Sequence, residues 1–165
     1  MTIRITLLIL AIFSLGTVLS QRSKDVMELE TIVTTIDSIV NARKNISEFI
    51  HPLFSDGDEV FLKHHYTVDT TNRLLYKVVY GHLNFEQVAF YYHKQKIVKV
   101  IVADNLLNAM PYKCEYYFDH DSVFCVREQG IPNLKNSWNS KTITSQARLY
   151  LNNFSGICDM LDKRK

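Results

Sequence analysis

Between residues 60 and 128 the chain is almost continuously β-branched and aromatic, and inside that stretch a strand–turn–strand unit recurs. The clearest copies are FYYHKQKIVKVIV and EYYFDHDSVFCVRE. Tyr91-Tyr92 returns 25 residues later as Tyr116-Tyr117, and Val98, Val100 and Ile101 return as Val123, Cys125 and Val126. HHYTVDTTNRLLYKVVYG reads as a more diverged copy that turns near Thr71-Asn72. Consecutive hairpins confine the centre of the fold to antiparallel pairing, because parallel neighbours need long crossovers. The expectation is a meander of about six strands.

Alternation assigns the two faces of that sheet. Val88, Phe90 and Tyr92 point one way, and Ala89, Tyr91 and His93 the other. Cys114, Tyr116 and Phe118 oppose Glu115, Tyr117 and Asp119. Neither face is cleanly polar, so the second face should be partly covered by curvature, a helix or a partner. With a turn at His120-Asp121, Tyr116 should face Cys125, and Cys114 should lie diagonally on the same face.

Periodic segments flank the sheet. Val26, Leu29, Val33, Ile36 and Val40 recur at helical steps, predicting a helix over 24–44 with Ser23 as its cap. Ile46, Phe49, Ile50, Leu53 and Phe54 read as a short helical turn broken at Pro52, followed by a turn at 55–58. Residues 129–141 read as a loop around Trp138. A second helix is predicted over 142–161, capped by Ser140 or Thr142 and weakened by Gly156. The fold class is therefore α+β: helix, antiparallel meander, helix.

The first twenty residues have the form of an export leader: Arg4, an apolar run from Ile5 to Phe13, and small or tolerated residues Val18 and Ser20 before Gln21. They imply one mature domain over 21–165, exported to a periplasm or secreted, with no membrane attachment after cleavage. The chain carries 19 Lys+Arg against 17 Asp+Glu, and the leader holds only Arg4. The mature balance of 18 against 17 gives no electrostatic basis for a nucleic-acid partner. The hairpin pattern YYxxxxxVxxV behind a leader and between two helices resembles small exported bacterial proteins with MORN-like hairpin repeats. The resemblance covers roughly 86–128; it implies a sheet architecture and transfers no functional residue.

Catalytic signatures are weak. His64 and His65 are adjacent and must face opposite sides of a strand, and His51, His82, His93 and His120 lack ligand spacing. His120, between Asp119 and Asp121, belongs to a hairpin tip, where a base for Cys125 would not be held. Asp56, Asp58 and Glu59 lack calcium-loop spacing. No catalytic residue, metal site or cofactor is assigned. Cys114, Cys125 and Cys158 read either as three thiols or as one bridge plus one thiol, and any bridge is expected to use Cys158. The leading expectation is a non-enzymatic binding protein whose sheet face, carrying Tyr91, Tyr117, Phe124 and Val126, meets a partner or a second copy. The alternatives are an inhibitor or immunity-like protein acting through a protruding loop at Trp138, and a hydrolase with a pocket joining His65, Tyr91 and a carboxylate.

Overall fold

A computed structural model describes residues 24–43, 45–56, 59–81, 86–104, 112–130 and 138–163. The expected leader, His82, and much of the loop before Trp138 lie outside the described residues. Helix α1 covers 24–42. Seven strands follow: β1 (Ile46–Asp56), β2 (Glu59–Asp69), β3 (Leu74–Gly81), β4 (Glu86–His93), β5 (Lys96–Asp104), β6 (Tyr112–Asp119) and β7 (Ser122–Gln129). Helix α2 (Ser140–Asp162) closes the chain. The strands form one antiparallel meander in sequence order. Among the described residues no helix is long and apolar enough to cross a membrane.

The seventh strand is a correction. Residues 46–54 have helical spacing, yet they pair with β2 from Ile46↔Asp69 onward. Long-range pairing overrides a local apolar period of only two turns. Pro52 fits because β1 is an edge strand, where a missing N–H need not break a ladder. Irregularities around Pro52 and Phe54 further disrupt that edge.

The three expected hairpins are β2–β3, β4–β5 and β6–β7. The second and third turn on Lys94-Gln95 and His120-Asp121, all four with positive φ. That conformation matches a two-residue turn to the twist of its strands, here without glycine. The first turn is longer: Asp69 accepts hydrogen bonds from the Asn72 backbone N–H (2.9 Å) and side chain (2.8 Å).

Each hairpin carries one bulge at the same place, after the second residue pair from the turn. Tyr76, Val98 and Phe124 are the extra residues, each on the returning strand. The bulge corrects the third register. Tyr117, not Tyr116, faces Cys125, and Tyr116 faces Val126. Cys125 therefore lies on the opposite face from Cys114, as a one-residue slip requires. The structural repeat is correspondingly one residue longer than the 25-residue sequence match: Phe124, not Val123, is the counterpart of Val98. None of the three cysteines is in a disulfide; Cys114 and Cys158 are buried together on one side of the sheet.

Both faces are covered. Val33 and Ile36 of α1 bury against Tyr91 and Val98. On the other side Ile143, Ala147, Tyr150, Phe154 and Ile157 of α2 pack on Val78, Phe90, Tyr92, Val100 and Tyr116. Asn139, rather than Ser140 or Thr142, caps α2, its Oδ1 accepting from Thr142 N–H at 3.0 Å. Leu149 and Asn152, on the outward side of α2, line clefts against β7 on one flank and against β1 and β2 on the other. The two sheet edges thus flank the same helix. The bulged sheet curves around α2, with α1 on its convex side.

Candidate functional site

One row of directly paired residues crosses all seven strands on the α1 side: Glu48, Thr67, Lys77, Tyr91, Lys99, Tyr117 and Cys125. Its centre alternates lysine and tyrosine. Lys77 Nζ sits 4.5 Å from the Tyr91 ring centroid, and Lys99 Nζ 5.0 Å from that of Tyr117. Helix α1 supplies the counter-charges. Asp37 meets Lys77 at 3.0 Å and Glu30 meets Lys99 at 2.6 Å. These acids are two helical turns apart, so both point down from one face. Glu115 adds a second carboxylate to Lys99 at 2.9 Å and takes Lys113 at 2.7 Å. The Tyr117 hydroxyl donates to Glu30 and lies 3.1 Å from Glu115.

The electrostatics follow from this closure. Burial works against the Glu115 carboxylate, but Lys113 and Lys99 outweigh it and pull its pKa down to about 2. Burial likewise opposes ionised Glu30, and Lys99 and Tyr117 still hold it below the ordinary value. Burial, Glu30 and Glu115 together push the Tyr117 phenol upward. Burial disfavours the Lys77 ammonium, yet Tyr91 and Asp37 raise its pKa. Lys99 is only 2% exposed. With its ammonium enclosed between two carboxylates and a phenol, the network locks α1 to the sheet rather than offering a reactive group to solvent.

The two larger clefts lie on the α2 side; smaller ones of about 470 and 420 Å³ lie against the start of α1, at Asp25, Glu28 and Leu29, and beside Lys113 and Glu115. A cleft of about 670 Å³ separates the second half of α2 from β1 and β2. Its walls include Phe49, His51, His64, Tyr66, Tyr150 and Ile157, with Leu149 and Met160 exposed at the rim. Register places His51 opposite His64, and their rings stack at 6.1 Å. Tyr150 stands edge-on to His64 at 5.2 Å and to Phe90 at 5.0 Å. Burial, and then His51 beside it, depress the His64 pKa, so the ring is neutral at pH 7. Among the described residues no group of three or more His, Cys, Asp or Glu is placed to hold a metal ion. Tyr150 is 1% exposed, and its hydroxyl makes no hydrogen bond of good geometry among the described residues, although Gln146 lies beside it.

The sequence-derived binding residues are split by this architecture. Tyr91 and Tyr117 are buried beneath α1 and cannot form an exposed patch in the monomer. Phe124 is half-buried on the α1 side of β7, and Val126, 44% exposed, is on the α2 side. Trp138 is half-buried against Tyr80 and Phe90, and its carbonyl accepts from Tyr116 at 2.8 Å, so it is not presented at a loop tip. His65 pairs with Glu48 at 3.4 Å, two strands from Tyr91. Sequence reasoning missed His51, His64 and Tyr150 as a group, because β1 had to be recognised as a strand first. No protein-family model, curated protein or solved structure matches the chain.

Proposed function

We propose that this chain is an exported, non-enzymatic binding protein, and that its ligand enters the cleft between α2 and the β1–β2 edge. Export rests on the leader-like residues 1–20. The observation that carries the binding reading is the Tyr150 hydroxyl, buried without a well-formed hydrogen bond at the wall of an aromatic cleft. Buried polar groups are nearly always satisfied, and a ligand atom in the cleft would complete the bonding of this hydroxyl beside Gln146. The volume of about 670 Å³ suits a small molecule. The walls favour a mostly apolar, flat ligand that brings one hydrogen-bond acceptor. The Lys99 network does not argue for catalysis, since its charges satisfy one another.

An anilinonaphthalene sulfonate dye tests the reading. The native protein should enhance its fluorescence, and Met160→Asp at the cleft rim should abolish the enhancement with an unchanged melting temperature. Failure of the native protein to bind the dye, or equal binding by the Met160 variant, would overturn the assignment.

A further inference from the structure

The larger cleft, about 970 Å³, lies on the opposite flank of α2 and has a different character. Its sheet-side wall is Asp121 through Val126, six consecutive residues. A cleft on a sheet face touches alternate residues only. Contact with every residue means that this trough runs along the outer edge of β7, where one side of the strand has no neighbour among the described residues. The other wall is a stripe of α2: Ser140, Lys141, Thr144, Ser145, Arg148 and Asn152, beside Leu149. The strand wall is about 17 Å long and the helix wall about 18 Å.

The charge on this trough is one-sided. Lys141 and Arg148 line it two helical turns apart, about 10 Å along the axis, and neither has an ion-pair partner among the described residues. One acid, Asp121, sits at the hairpin end. The two edges of the sheet also differ. Edge β1 is broken by Pro52 and two register irregularities, whereas β7 has no proline and a single bulge, at Phe124 within the trough wall.

We infer that the β7 edge is a docking surface for an extended acidic polypeptide segment, which adds to the sheet as an eighth strand beneath α2. Its backbone would meet the open edge, and alternate side chains would point toward α2. Same-face residues of a strand step about 7 Å, so carboxylates two or four positions apart reach Lys141 and Arg148. The cationic helix wall selects acidic partners. A second copy of this chain fits poorly, because joining two β7 edges across a twofold axis would bring two sets of Lys141 and Arg148 together.

The probe is a capped peptide of alternating glutamate and threonine, about seven residues long to match the trough. It should bind the full chain, slow hydrogen exchange at the Ser122–Val126 amides, and weaken with added salt. The double variant Lys141→Glu, Arg148→Glu should bind it at least about tenfold more weakly. Both side chains are exposed or at the helix surface, so melting should be unchanged; loss of binding together with lost melting would be resolved by Arg148→Gln alone, which should weaken binding and keep the fold. The inference is overturned if the glutamate peptide does not bind, or if a lysine–threonine peptide binds equally. It is also overturned if binding leaves the β7 amides unprotected, or if the protein alone is a dimer already protected along β7.

Discussion

The two helices are held to the same sheet by different means: α1 adds ion pairs to an apolar contact, whereas α2 relies on apolar and aromatic packing. Under α1 the sheet presents lysines and tyrosines, and the helix answers with Glu30 and Asp37. Under α2 the contact is aromatic and aliphatic, with Tyr92 donating to the Ala147 carbonyl at 3.1 Å as one of its few polar ties. The polar interface is specific in register, because each charge has a named partner. The apolar interface is tolerant of gaps and is flanked by both clefts.

The strongest way to break this contrast is to remove one charge from the closed side. Lys99→Ala should cost about 3–5 kcal/mol in urea unfolding at pH 7, because Glu30 and Glu115 lose their shared cation. Phe90→Ala on the other side should cost a similar amount, about 3–5 kcal/mol. The two should part in acid, where the Lys99 penalty shrinks and the Phe90 penalty does not.

Acid titration sharpens the contrast without mutation. Glu115 has a folded pKa of about 2 against 4.5 for the unbound carboxyl. Its stabilisation is complete above the higher value and is lost as pH falls between them. Glu115→Gln should flatten the stability–pH curve in that window. His64 acts from the α2 side and at higher pH. Its folded pKa is lowered, so the unfolded chain takes up its proton first, and stability falls as pH drops below about 6.5. His64→Phe should remove that step and leave the Glu115 step intact, as read by melting temperature against pH.

Smaller changes probe the open side. Tyr150→Phe removes a buried hydroxyl without a good partner and should raise stability by about 1 kcal/mol while weakening dye binding. Gly156→Ala should add up to about 1 kcal/mol, since an added Cβ meets nothing within 4 Å. Calorimetric melting checks both.

What was legible in the chain was local. The turns, the alternation of Val88, Phe90 and Tyr92, and the helical stripe of α1 depend on neighbours a few residues apart, and the structure has them. Strand β1 was not legible, because Ile46, Phe49, Ile50 and Leu53 suit a helix until a partner strand is present. The bulges were not legible either, because an extra residue is a property of a pair of strands. Missing the one at Phe124 moved Cys125 to the wrong face. Tyr91 and Tyr117 read as a partner-facing surface because alternation places them on a face without saying what covers it. Helix α1 covers that face, packing Val33 and Ile36 against Tyr91 and reaching with Glu30 and Asp37 to lysines that no local pattern ties to either acid.

The recurrence of the bulge at one position in every hairpin has a consequence for how such a molecule can grow. Each hairpin carries its own increment of bend, so curvature accumulates with copy number rather than being imposed by the helix inside it. Inserting one more unit between β5 and β6 would lengthen the arc by two strands and bring the β7 edge further round toward β1. Removing one would flatten the arc and expose the sheet-facing side of α2. The width of the gap between the two edges is thus counted out in hairpins.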